Sequence, residues 1–121
     1  MLLVDASVWM DHLRSEDTLL AHFLANDQVM MHSMIRGELA MGYLRNRDYM
    51  LEFLGNMPQI KSASDEEVLA AIEEYQLTGK GIGWVDAHLL VAVLQSEGIK
   101  LWTRDRRLNT IAQGLNLTVD F

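Results

Sequence analysis

The chain has 121 residues, half of them apolar on a broad count and 22% charged, so it is long enough for one well-buried core and too apolar to be disordered. Its net charge of −7 excludes a protein that holds nucleic acid by bulk neutralisation of phosphates. With no cysteine there is no disulfide framework, thiolate metal site or cysteine nucleophile, which fits a reducing, cytoplasmic setting.

Leu2-Leu3-Val4 reads as a short strand that stops at Asp5, before an apolar stretch of signal-peptide length has formed; neither secretion by that route nor a membrane span is expected. Asp5 or Ser7 is placed to cap a helix over Val8 to Leu13, and a second helix follows from Thr18 to Leu24. Val29-Met30-Met31 is a second strand. Ser33 stands where an N-cap is wanted for the next helix, and a further helix from Asp48 to Met57 ends at the only proline, Pro58, the two forming a hairpin. A short strand at Ile60 precedes Ser64-Asp65-Glu66-Glu67, a capping box. After the flexible stretch Gly79-Lys80-Gly81-Ile82-Gly83 comes a helix from Val85 to Glu97, closed by Gly98 and apolar nearly all round, hence buried. Lys100 to Thr103 is a strand, Leu108 to Gln113 a helix stopped by Gly114, and Leu117 to Val119 a last strand.

Strands separated by helices imply parallel pairing, because parallel neighbours need a crossover connection. The expected fold is α/β, a three-layer α/β/α sandwich with a mostly parallel central sheet, formed as one domain over residues 1–121. In such sheets ligands bind outside the carboxyl ends of the strands, near the point where strand order reverses. Asp5 follows the first strand there, and Asp105 follows Thr103 at the end of the fourth. Glu38, early in the third helix, and Asp86, opening the buried helix, can reach the same edge. Each acid alone has a plain explanation, an N-cap for Asp86 and Asp105 or a solvent-facing helix position for Glu38. Together they would repel, at roughly 3 kcal/mol per pair about 5 Å apart for an effective dielectric near 20. Oxygen-only ligands suit Mg²⁺, with Mn²⁺ as a substitute.

Four motifs carry a resemblance. Leu3-Val4-Asp5-Ala6-Ser7-Val8-Trp9, Gly37-Glu38-Leu39, Gly83-Trp84-Val85-Asp86-Ala87-His88-Leu89-Leu90 and Leu101-Trp102-Thr103-Arg104-Asp105-Arg106-Arg107-Leu108 resemble, in order and spacing, the acidic motifs of PIN domains. Nearly the whole chain is covered, and its length matches the VapC-type toxins of bacterial toxin–antitoxin pairs. The resemblance implies a Mg²⁺-dependent endoribonuclease with Asp5, Glu38, Asp86 and Asp105 as catalytic metal ligands and Ser7 and Thr103 as supporting hydroxyls. One or two ions would activate water for in-line attack on a phosphodiester of cellular RNA. It also implies a cognate VapB-type antitoxin that blocks the acidic pocket, and a toxin homodimer.

An acidic protein must hold RNA through local features, so Arg104 and Lys80, beside the acidic motifs, are the expected phosphate contacts, with Arg106 and Arg107 next to them. Helix surface or internal ion pairing is the plain alternative. Met30, Met31, Met34, Met41, Met50 and Met57 offer adaptable apolar surface for a partner peptide, or fill the core. Trp9, Trp84 and Trp102 are read chiefly as packing, and His12, His22, His32 and His88 show no metal spacing. Gly79-Lys80 lacks the flanking residues of a phosphate loop. The alternative to an enzyme is a catalytically silent or signalling acidic-pocket domain that acts through metal or protein binding. It would tolerate Asp5→Asn.

Overall fold

Leu2, Leu3 and Val4 are buried without alternation, the signature of a parallel strand covered on both faces. They form β1 (Leu2–Val4), the middle strand of a parallel sheet. In the computed structural model, which describes residues 1–119 and 121, β1 pairs on one side with β2 (Val29–Met30), in the register Leu2 to Val29. On the other side it pairs with β3 (Lys100–Trp102), in the register Val4 to Trp102. Single parallel bridges, Met31 to Gln59 and Leu101 to Thr118, extend the sheet by one position at each edge. The strands expected at Ile60 and at Leu117 to Val119 are therefore no more than these bridges. The chain builds outward first on the β2 side and then on the β3 side, so strand order reverses beside β1. The carboxyl ends of β1 and β3 frame the crevice that this reversal opens.

The helices are α1 (Ala6–Arg14), α2 (Thr18–Ala25), α3 (Ser33–Met41), α4 (Arg47–Asn56), α5 (Asp65–Glu74), α6 (Trp84–Leu94) and α7 (Arg106–Gly114). Ala87 to Val93 are buried without a break, as the all-round apolar pattern requires, and α6 packs on β3 and α5. Truncating fully buried Leu90 to Ala would cost about 2–5 kcal/mol. α3 packs on α1 and forms the expected hairpin with α4.

Local structure differs from expectation at two helix starts and one helix end. Asp5 occupies the N-cap position of α1 without capping it through its side chain, which turns elsewhere. His32, not Ser33, caps α3: its Nδ1 accepts from the Met34 N–H at 3.0 Å. The imidazole reaches the same donor that a serine hydroxyl would, and Ser33 becomes the first helical residue. α6 ends at Leu94 rather than Glu97, the chain turning through Gly98 at φ +73°. The capping box at α5 forms as read, with Glu67 N–H on Ser64 Oγ at 3.1 Å and Ser64 N–H on Glu67 Oε1 at 2.9 Å.

Candidate active site

Asp5 is carried past β1 with its backbone N–H on the Trp102 carbonyl at 2.9 Å, which ties the ends of β1 and β3 together. Its buried carboxylate accepts at Oδ2 from two hydroxyls, Ser7 Oγ and Thr103 Oγ1, each at 2.8 Å. Those hydroxyls are themselves held: Ser7 Oγ accepts from the Arg104 N–H, and Thr103 Oγ1 from the Asp105 N–H, both at 3.0 Å. Backbone donors thus orient both hydroxyls toward Asp5.

Asp86 and Asp105 follow the same rule. Asp86 Oδ2 accepts from the Gly83 N–H at 3.1 Å, reaching back over the first turn of α6, and Asp105 Oδ1 caps α7 through the Leu108 N–H at 3.0 Å. The capping alternative for Asp105 is therefore true of one of its oxygens. Among the described residues, the second oxygen of each of the three aspartates makes no hydrogen bond. Three carboxylates are held by one oxygen and leave the other available, a good arrangement for monodentate ligation of a hard cation.

Glu38 stands about a turn and a half into α3, half-buried, and makes no hydrogen bond among the described residues. Burial, then the charges of Asp5 and Asp86, raise its pKa above the ordinary glutamate value. Burial also raises Asp86; the Gly83 N–H opposes this, and the charges of Asp5 and Asp105 add to it. The four acids are one electrostatically coupled set, linked through Asp5 and Asp86. No lysine or arginine offsets the rise at Glu38 or Asp86. Among the described residues no three His, Asp or Glu side chains already close on one cation-sized point. A ligand with several water molecules in its shell fits such an open set better than a bare ion does, and the oxygen-only donors suit Mg²⁺ or Mn²⁺.

Arg104 departs from the expected role. Its guanidinium bonds Asp11 Oδ2 at 2.8 Å and Asp17 Oδ2, and lies 5.5 Å over the Trp102 ring. Extended backbone alternates side chains, so Thr103 faces Asp5 while Arg104 turns the other way. Neither acid signalled this role in the sequence, since a carboxylate tens of residues away in the chain has no local pattern to betray it. Lys80 lies in the loop before α6, lining a pocket with Arg106 and Arg107. Trp9 and Trp102 are core residues, whereas Trp84 is exposed with its ring edge-on to His88 at 4.6 Å. Burial lowers the pKa of His32, so the cap of α3 is a neutral imidazole. Of the methionines, Met31 is fully buried and Met30 and Met57 pack on the core; Met41 is 89% exposed.

The model of the PIN domain matches residues 2–114, and the chain belongs to the PIN-domain family. Within that family it is of the VapC type. It is 43% identical over 108 residues to ribonuclease VapC32 of Mycobacterium tuberculosis strain CDC 1551 / Oshkosh, and equally to that of strain ATCC 25618 / H37Rv. The aligned segment covers 89% of this chain and 87% of each relative. No helix among the described residues is long and apolar enough to cross a membrane.

Proposed function

We propose that the chain is a Mg²⁺-dependent endoribonuclease toxin of the cytoplasm, which hydrolyses phosphodiester bonds in cellular RNA and is restrained by a cognate VapB-type antitoxin. The observation that carries this reading is the set of acids at the carboxyl edge of the sheet: Asp5, Asp86 and Asp105 are each held through one oxygen with the other unbonded, and half-buried Glu38 makes no hydrogen bond among the described residues. Carboxylate oxygens left unbonded at a sheet's ligand-binding edge are suited to receive a cation.

Asp5, Glu38, Asp86 and Asp105 would hold the metal through the oxygens left free. When bound, Mg²⁺ supplies activation of the attacking water and stabilisation of charge on the phosphate and leaving oxygen. Ser7 and Thr103 keep Asp5 aimed, since two donors on one carboxylate oxygen fix its rotamer. The Leu108 and Gly83 N–H groups do the same for Asp105 and Asp86. Lys80 carries no ion pair among the described residues and is the better placed phosphate contact of the two expected; Arg104 reaches RNA only by leaving Asp11 and Asp17.

The antitoxin surface we assign is the groove of about 760 Å³ between α1 and the α3–α4 hairpin, lined by Met10, Leu13, Tyr43 and Met50. Met41 and Tyr43 leave apolar area uncovered beside it, as an interaction site rather than a surface in water requires. An apolar antitoxin segment seated there would bring a basic side chain to the acids, and Met41→Gln with Met50→Gln should abolish binding with the fold intact. Two such toxins would pair as a dimer.

The central experiment is expression of wild type and Asp5→Asn without antitoxin, following growth and new 5′ ends in total RNA. Purified protein should cut RNA with Mg²⁺ and stop in EDTA, and Asp5→Asn should lose at least about 10²–10³-fold in rate. Equal growth and intact RNA with both folded proteins would return the chain to a silent acidic-pocket module.

A further inference from the structure

Glu38 differs from the other three acids. Hydrogen bonds hold Asp5, Asp86 and Asp105 in place, whereas Glu38 makes none among the described residues. Its place beside Asp86 therefore depends on how α3 stands against α6. Helix packing fixes each of the two separately, because α3 packs on α1 and α4 while α6 packs on α5 and β3. Two buried side chains that the proposed chemistry leaves unused lie on those same helices. His32 heads α3 and is 1% exposed; His88, two residues beyond Asp86 on α6, is 2% exposed.

Buried polar atoms are ordinarily hydrogen-bonded, yet among the described residues His32 Nε2 and both ring nitrogens of His88 have no hydrogen-bond partner. The position of each ring proton follows from the surroundings. His32 Nδ1 accepts from the Met34 N–H at 3.0 Å, so this nitrogen is bare and the proton of the neutral ring sits on Nε2. His88 Nε2 stands 3.2 Å from Asp65 Oδ1, outside hydrogen-bond alignment, and the carboxylate draws the proton of the neutral ring to that nitrogen. His88 Nδ1 is then a bare acceptor. His32 thus offers a donor without an acceptor, and His88 an acceptor without a donor. The two rings are also neighbours across the α3–α6 seam: burial first, then the charge of His88, lowers the pKa of His32.

We propose that His32 and His88 are positioning residues of the acidic site: one buried water, accepting from His32 Nε2–H and donating to His88 Nδ1, ties α3 to α6 and so sets Glu38 against Asp86. The proposal rests on the nuclease reading and adds to it two residues that act through Glu38. One water between one donor and one acceptor satisfies both buried groups. Both ends of the link are rigid. Met31, just before His32, is fixed to the neighbouring segment by its N–H on the Pro58 carbonyl at 2.7 Å and by the Ile60 N–H on its own carbonyl at 2.9 Å. His88 lies in the stretch of α6 that is buried without a break. Packing alone gives no reason for two imidazoles, since apolar side chains would fill the same space with no polar atom to satisfy.

The first test needs no metal. In EDTA at about pH 8, above the ordinary histidine range, nitrogen-15 NMR of the wild-type chain should show both rings neutral with the proton on Nε2. The His32 Nε2–H should exchange slowly with solvent. A proton on His88 Nδ1 would leave the link without its acceptor and overturn the proposal. Because this test is made on the wild-type chain, it decides even where a variant does not fold.

The second test titrates Mg²⁺ by calorimetry. His88→Leu removes the acceptor and keeps most of the bulk, and His32→Ser keeps a cap on α3 but removes the ring donor. Each should weaken Mg²⁺ binding about 10–100-fold. His88→Asn, whose amide oxygen takes the place of Nδ1, should restore most of the loss. On a Glu38→Gln background His88→Leu should weaken binding no further, as two residues acting through one contact require. His22→Gln, at an exposed position of α2, should change nothing. Equal Mg²⁺ affinity in wild type, His88→Leu and His32→Ser would overturn the proposal, with Mg²⁺-dependent cleavage by the wild-type chain still upholding the nuclease reading. A loss that persists in full on the Glu38→Gln background, or that His88→Asn does not relieve, would return both imidazoles to the core as packing and equally overturn it. Absence of Mg²⁺ binding and of cleavage in the wild-type chain would remove the two readings together.

Discussion

Two pairs of acids lie on either side of one short stretch, Thr103-Arg104-Asp105, and they are treated in opposite ways. Asp11 and Asp17 share the guanidinium of Arg104, and its hydrogen bonds hold both carboxyls below their ordinary range. Glu38 and Asp86 receive no cation from the chain and are pushed up by burial and by each other's neighbours. The arginine is adjacent in sequence to Asp105 and to Thr103, which bonds Asp5, yet extended backbone turns it away from the acidic set. Had it faced inward, it would have neutralised the four acids. The difference teaches that the repulsion at Glu38 and Asp86 is not a shortage of arginine but the direction in which the arginine points.

The sharpest way to break this comparison is to remove the charge from the repelling side. Glu38→Gln should lower cleavage by about 10²–10³-fold and, in EDTA, raise Tm by about 2–5 °C, the size of roughly 1 kcal/mol in a chain of this length. An RNA cleavage assay checks the first half, and calorimetry with and without Mg²⁺ the second, since the ion should stabilise wild type far more than the variant. A lower Tm in EDTA would mean that Glu38 is held by attractive contacts. The pH dependence follows the same sign. Unfolded Glu and Asp ionise near 4.5 and 3.8, and the folded pair does so later, so the folded state keeps protons that the unfolded chain has shed. Stability in EDTA should therefore fall as pH rises from those values through the raised ones, and saturating Mg²⁺ should cancel the fall.

Support can be separated from ligation at the other two aspartates. Thr103→Val leaves Asp5 with one hydroxyl and should cost about 10–100-fold in metal affinity or rate. Asp105→Asn keeps the cap of α7, because an amide oxygen accepts from the Leu108 N–H as well as a carboxylate does, and so should lose cleavage with Tm nearly unchanged. Asp105→Ala should lose cleavage and also about 0.5–2 kcal/mol of stability. Equal Tm in the two variants would show that the cap contributes nothing.

These sites were legible to different depths in the sequence. Asp5, Glu38, Asp86 and Asp105 announce themselves because each sits at a strand end or in the first turns of a helix, positions that local pattern reveals. The single bridges at Gln59 and Thr118 were less legible, since an apolar residue or two reads alike as a strand and as a chain crossing a sheet edge. The cap at His32 was hidden by a serine one residue later, which fits the usual preference better. The Arg104 pairing and the pocket at Lys80 depend on residues far apart in the chain, and no periodicity encodes them.

The smallest effect is expected on the paired side. Arg104→Gln frees Asp11 and Asp17 at an exposed place, where solvent and salt screen much of the attraction. Tm at neutral pH should fall by roughly a degree or two at low salt, and by less as salt is raised. Because both carboxyls lie below the ordinary aspartate value of 3.8 when folded, the stability they lend is complete above that value and is lost as pH falls through the folded ones. Wild type and variant should thus converge on acidification below about 3.8, the opposite slope to that of Glu38 and Asp86. Cleavage at saturating RNA should survive, because Ser7 is oriented by the backbone N–H of residue 104 and not by its side chain. A large loss of cleavage in Arg104→Gln would mean that the guanidinium leaves its two aspartates to serve the substrate, and the contrast between the two acidic pairs would then hold only in the free protein.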